Sequence, residues 1–135
     1  MAGRLVLHAD GGSRGNPGPA GAGAVLTDPE GEVVAGLSRY LGRATNNVAE
    51  YQALIMGLEE ARRLGCRELE VRLDSELIVR QLSGRYRVKS PHLKPLYDRA
   101  RELLAGFGRA RVSHVAREHN QEADRLANQA MDRGA

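Results

Sequence analysis

Residues 4–12 read RLVLHADGG. Leu5, Val6, Leu7 and Ala9 make Arg4–Ala9 apolar enough for a central β-strand, which Asp10 and two glycines bring to an end. The following stretch, Gly11 to Gly23 (GGSRGNPGPAGAG), holds six of the sixteen glycines and two of the five prolines, and reads as a glycine-rich turn. A second strand is expected at about 23–27. Asp28-Pro29-Glu30-Gly31 then forms a hairpin turn, and a third strand runs over 32–41.

Beyond residue 45 the period changes. Tyr51, Leu54, Ile55, Leu58, Ala61 and Leu64 recur at helical spacing, with Glu59 and Arg63 paired four apart on the opposite face. This helix begins near Asn47 and stops at Gly65. Leu69, Val71 and Leu73 alternate in a strand that ends at Asp74, and Ser75 caps a helix through Leu82 that Gly84 closes. Ser90-Pro91 opens a further helix, with Leu93, Leu96, Ala100, Leu103 and Leu104 on one face. A last strand spans about 110–116, and Asn120 caps a final helix carrying Ala123, Leu126, Ala127 and Ala130. The order βββαβααβα predicts an α/β fold, one mixed sheet covered by helices. Sites in such sheets lie at the carboxyl ends of the parallel strands, where Asp10 and Asp74 both fall.

Composition narrows the class. A chain of 135 residues is expected to form one domain over 1–135, and 41% hydrophobic with 27% charged residues excludes a disordered chain. The apolar run Ala20 to Leu26 is far shorter than the roughly 20 residues of a bilayer helix, so no membrane association is expected. Arg4 followed directly by a strand-like run does not resemble a secretory signal. The single cysteine, Cys66, excludes an internally disulfide-stapled scaffold and fits a reducing, cytoplasmic setting. Net charge is +3, yet Arg80–Arg101 holds seven basic residues and one acid, Asp98. A basic stripe on a net acidic remainder points to a polyanionic partner.

Four acids carry the chemistry. Asp10 can be read as a turn-former, Glu50 and Asp124 as first-turn residues favoured by the helix dipole, and Asp74-Ser75 as a cap. Taken together they sit on two strand ends and on two helices that can pack over those ends. Ala49 and Ala53 flank Glu50 and Ala123 precedes Asp124, so both helices can approach the sheet closely. Converging carboxylates repel unless a cation joins them, and hard oxygen donors select Mg²⁺ or Mn²⁺. Two such ions about 4 Å apart suit in-line phosphodiester displacement.

These residues resemble the type 1 ribonuclease H family over about Arg4 to Ala130. The motifs are Asp10-Gly11-Gly12-Ser13 with Gly15-Asn16-Pro17-Gly18, then Thr45-Asn46-Asn47-Val48-Ala49-Glu50, then Asp74-Ser75, then Asn120 to Ala127 (NQEADRLA). The resemblance implies a five-stranded mixed sheet, three antiparallel strands followed by parallel additions, flanked by helices. It implies an endoribonuclease, acting as a monomer without sequence preference on the RNA strand of RNA–DNA hybrids and leaving 3′-hydroxyl and 5′-phosphate ends. Carried over by position, Asp10, Glu50, Asp74 and Asp124 are the catalytic carboxylates and the ligands of two Mg²⁺ (or Mn²⁺) ions. Asn16, Asn46 and Asn47 match hybrid contacts, and Arg43 and Thr45 match a pocket for a DNA-strand phosphate. A wide, shallow minor groove with 2′-hydroxyls suits such short amides.

The chain also departs from the family pattern. There is no Trp, and only Ser83 to Pro91 fills the place of the long basic protrusion many members carry. Arg85, Arg87 and Lys89 are expected to bind substrate in its stead, with weaker and more salt-sensitive affinity. Glu76 stands where many relatives have a substrate-touching glutamine, and Ser90 where an asparagine often completes the phosphate pocket. Arg117 and His119 both match the loop histidine that assists the reaction in many members, and the sequence leaves both in play. Two rival readings belong here: a hybrid-binding module without catalysis, and a related nuclease that also cuts double-stranded RNA. His8, His92, His114 and His119 lack the spacing of a zinc site, and GRYRVKS (84–90) lacks the glycine and preceding strand of a P-loop.

Overall fold

The structure, a computed structural model, describes residues 3–134. Five strands form one mixed sheet in the order β3-β2-β1-β4-β5. Strands β1 (Arg4–Ser13), β2 (Gly18–Thr27) and β3 (Val33–Ala44) are antiparallel, and β4 (Glu68–Leu73) and β5 (Arg109–His114) add in parallel to β1. Helix α1 (Asn46–Arg63) covers β1 and β2 on one face, with α2 (Glu76–Leu82) and α3 (Lys94–Ala105) beside it, while α4 (Gln121–Arg133) covers β2, β1 and β3. The expected fold class is the observed one.

The glycine-rich stretch is the main correction. Residues 11–13 and 18–23 are strand rather than turn, and only residues 14–17 reverse the chain. Gly11, Gly21 and Gly23 do not bend the backbone there; they make room for helices. A Cβ on Gly11 would lie 2.1 Å from the Ala49 carbonyl oxygen of α1, and one on Gly23 would lie 2.2 Å from the Ala123 carbonyl oxygen of α4. Along β2 the alternation Ala20-Gly21-Ala22-Gly23-Ala24 sets alanines toward α1 and glycines toward α4, so a helix backbone can rest almost on the strand. The Asp28 hairpin forms as expected, its carboxylate accepting from the Glu30 and Glu32 amides.

Several local expectations shift. Thr45 caps α1 one residue earlier than predicted, its hydroxyl oxygen accepting from the Val48 amide. Glu50 therefore lies beyond the first turn, and the dipole reading of it does not hold. Arg63 pairs with Glu60 rather than Glu59, which turns to Arg99 of α3. Residues 91–93 form a turn, so α3 begins at Lys94 with Pro95 in its first turn. Asn120 stands at the N-cap of α4, but its side chain makes no capping bond. Among the described residues no helix is long and apolar enough to cross a membrane.

Candidate active site

The parallel pairing of β1 and β4 ends at Ala9 and Leu73, so Asp10 and Asp74 emerge side by side at the carboxyl edge of the pair. The two close helix approaches supply the rest. On one face, contact at Gly11 brings Glu50 of α1 to Asp10, and the Gly11 amide donates to Glu50 Oε1 at 2.5 Å. On the other, Gly23 pairs with Asp10 across the sheet and admits Ala123 of α4, which brings Asp124 to the same groove as Asp10.

Carboxylate oxygens of Asp10, Glu50 and Asp74 all lie within 4.8 Å of one another. Asp124 joins from the α4 side, at the edge of this triad. Asp10 and Glu50 are buried, 9% and 7% exposed, and such groups resist ionising together. Burial first, then the hydrogen bond and charge of Glu50, pushes the Asp10 carboxyl far above the ordinary carboxylate range. Burial also raises Glu50, against the hydrogen bonds from Asp10 and Gly11 and the charge of Arg117, which hold it down. Without a cation the pair keeps a proton between them. An all-oxygen donor set at this spacing fits a hard divalent cation, whose charge relieves that repulsion.

Asn120 holds the fourth side of the cluster. It is 1% exposed, and its Nδ2 donates to the Ala9 carbonyl at 3.0 Å and to Asp74 Oδ2 at 3.2 Å. It thereby ties the end of β1 to the carboxylate of β4, a role that its position before a helix disguised as capping. A fully buried asparagine cannot be told from an exposed cap without knowing what lies beside it.

The cluster floors an open groove of about 430 Å³ that runs past Gly12 and Ser13 to Arg14, with Asn128 and Met131 of α4 on one wall. Arg117, in a 3₁₀ turn at Arg117–His119, lines this groove. His119 turns away and lines a separate cavity with His8, Val25 and Val33. The geometry therefore separates the two candidates, and only Arg117 faces the acids. His8 is half-buried, and burial, then Arg72, lowers its pKa.

The expected substrate contacts gather at the rim. Asn16 Oδ1 accepts from the Asn46 amide at 3.0 Å, and Asn46 Oδ1 accepts from the Ser13 amide at 3.3 Å. Both side chains thus spend their oxygens bracing the turn at 14–17 against α1 and leave their NH₂ donors for other partners. Asn47 lies on the same first turn, and Arg43, at the end of β3, is exposed beside the Thr45 cap. Most of the basic stripe is already engaged. Arg80 pairs with Glu76, Lys94 with Asp98 and Arg99 with Glu59 and Glu102, while Arg101 donates to the Leu82 carbonyl. Within the stripe only Arg85, Arg87 and Lys89 have neither an ion pair nor a side-chain hydrogen bond among the described residues, and all three lie in the exposed loop after α2. Glu76 is occupied by Arg80 at 2.8 Å, unlike a free substrate-touching glutamine.

Comparison with known proteins follows the same lines. Residues 8–130 match the family model described as "Reverse transcriptase-like". The chain is 53% identical over 98% of its length to "Bifunctional protein Rv2228c" of Mycobacterium tuberculosis, and 48% identical over 96% to "Ribonuclease HI" of Halobacterium salinarum. It spans 36% of the first and 65% of the second. The crystal structure of LC11-RNase H1 in complex with RNA/DNA hybrid, a protein isolated from compost by a metagenomic approach, superposes with a TM-score of 0.91 at 45% identity. That match covers 96% of this chain and 97% of the other. With its five-stranded mixed sheet, its acidic triad and a short loop in place of the basic protrusion, the chain belongs to the type 1 ribonuclease H family.

Proposed function

We propose that the protein is a divalent-metal-dependent endoribonuclease that hydrolyses the RNA strand of RNA–DNA hybrids without sequence preference, leaving 3′-hydroxyl and 5′-phosphate ends. The observation that carries this is the meeting of Asp10, Glu50 and Asp74 within 4.8 Å on the floor of an open groove. These three, with Asp124, would hold two Mg²⁺ ions, or Mn²⁺. When bound, such ions polarise the phosphodiester, lower the pKa of water and stabilise the leaving oxygen.

The chain's own residues do the rest. Asn120 keeps the Asp74 carboxylate aimed at the triad, and the Gly11 amide orients Glu50. Arg117, facing the same groove, is suited to hold charge beside the scissile phosphate, so we assign the assisting role to it rather than to His119. The free NH₂ groups of Asn16 and Asn46, with Asn47, would read 2′-hydroxyls and base acceptors in the minor groove. Arg43 and Thr45 would grip a DNA-strand phosphate, and Arg85, Arg87 and Lys89 would add sequence-independent backbone contacts. All four acids come from one chain, which supports a monomeric enzyme formed by a single domain. The buried free thiol of Cys66 suits a reducing cytoplasm.

The test is an end-labelled RNA–DNA hybrid, a duplex RNA and a duplex DNA of one sequence, each with Mg²⁺, Mn²⁺ or chelator. Cleavage of the hybrid's RNA strand alone, abolished by chelator, is expected. Hybrid binding without metal-dependent cleavage would leave only a binding module, and equal cleavage of duplex RNA would overturn the hybrid specificity.

A further inference from the structure

The groove has two basic lining residues, Arg117 and Arg14. Arg117 follows β5 and Arg14 follows β1, the strand that carries Asp10, so β4 with Asp74 at its end lies between them in the sheet order. A polyanion crossing a floor of carboxylates needs cationic ground on both sides, because bound ions offset the acids only locally. Arg117 supplies one side, and nothing so far accounts for the other.

Arg14 is built to supply it. Its backbone is held on every side: its amide donates to the Pro19 carbonyl at 2.8 Å, and Gly18 packs so close that a Cβ would lie 2.2 Å from the Arg14 carbonyl oxygen. Asn16 and Asn46 brace the same turn against α1. The side chain therefore leaves from a fixed base and loses little further freedom on binding. Its guanidinium rests on Asp132 Oδ1 at 2.6 Å, with both side chains largely exposed, at 48% and 69%. Such a pair is worth little, and Asp132 stands in the last turn of α4, where the helix carbonyls disfavour an acid. The pair is poorly placed as a stabilising device and well placed as a resting position. Asp132 lies eight residues along α4 from Asp124, a rise of about 12 Å, so a phosphate reaching Arg14 is not the scissile one.

Resting on the hybrid reading above, we propose that Arg14 anchors a non-scissile backbone phosphate of the hybrid, and that Asp132 holds the guanidinium in reserve and competes with that phosphate. The two partners of one ion pair then have opposite effects on binding. A simple tether between turn and helix would give both the same effect.

The experiment measures fluorescence anisotropy of a labelled RNA–DNA hybrid with Mg²⁺, in the Asp10→Asn background so that substrate persists, across a salt series. Adding Arg14→Ala is expected to raise Kd about fivefold and flatten the salt slope by about one unit. Arg14→Lys should recover part of the loss. Adding Asp132→Asn should lower Kd, by about two- to threefold. Thermal melts of each variant check folding. An unchanged Kd and slope in Arg14→Ala, or weakening by both substitutions, would overturn the proposal while leaving hybrid binding intact. Failure of the parent protein to bind hybrid would instead overturn the functional reading and this proposal with it.

Discussion

Around Asp10 the backbone has no slack: Gly11 and Gly23 touch helix backbones on opposite faces of the sheet and so set Glu50 and Asp124 beside it, while Asn120 ties down Asp74. Around Arg85 the chain is exposed from Ser83 to Arg87, and what ties it down is a surface chain of Glu76, Arg80 and Tyr86. Arg80 sits 5.3 Å from the Tyr86 ring centre and its carbonyl accepts from the Arg85 and Tyr86 amides. The acidic floor is held by close packing that tolerates almost no change, the basic loop by contacts worth little each. Chemistry needs carboxylates set to a fraction of an ångström, whereas phosphate attraction works over a Debye length and needs only charge in the neighbourhood.

Substitutions in the two regions should therefore differ in kind. Asp10→Asn should reduce hybrid cleavage by more than about 10³-fold, over roughly 4 kcal/mol of barrier. In chelator it should raise the melting temperature, because a repelling buried acid is gone. Appreciable turnover would break the assignment of the floor. Gly23→Ala should cost about 3 kcal/mol or more by denaturant titration, since the new methyl meets backbone that cannot yield. A near-wild-type midpoint would show that α4 does not rest on β2 as described.

The pH response sharpens the same contrast. Asp10 and Glu50 both have raised native carboxyl pKa values, so the folded protein keeps protons that the unfolded chain releases above about pH 4. Stability in chelator should therefore fall as pH rises from 5 to 8, by up to about 1.4 kcal/mol per pH unit for each retained proton. Mg²⁺ should flatten the dependence, since it binds the ionised acids. Urea midpoints across that range check it, and a rise with pH in chelator would contradict the shared proton.

The loop should answer more gently. Arg85→Ala with Arg87→Ala should leave the melting temperature within about 2 °C, as exposed substitutions usually do. It should flatten the salt dependence of hybrid binding by up to about two units of slope. An unchanged slope would mean the loop faces away from the duplex. Tyr86→Ala should have the smallest effect, about 0.5 kcal/mol or less in binding, by loosening the loop without removing a charge.

Much of this was legible in advance. Helical spacing from Tyr51 to Leu64, alternation at Leu69-Val71-Leu73 and the turn chemistry of Asp28–Gly31 each follow from local physics that a single sequence displays. The four acids were visible as residues, and the motif resemblance marked them. The glycines of 11–23 read as a turn because a glycine needed for a left-handed turn and one needed to admit a neighbouring helix look alike in sequence. Asn120 looks like a cap in the sequence for a similar reason, since the carbonyl and carboxylate it binds belong to residues 111 and 46 positions away. The stripe at 80–101 holds less free charge than its composition suggests: Glu76, Asp98 and Glu102 engage Arg80, Lys94 and Arg99 at helical spacing, and Glu59 adds a contact from another helix.

Element order, the parallel strand ends and the identity of the acids were thus written in the chain, since propensity, periodicity and capping act over a few residues. Which arginine faces the groove and which glycine yields to which helix were decided only on folding. Those outcomes depend on distances between residues remote in sequence, and the sheet sets them when it brings α1 and α4 against its opposite faces.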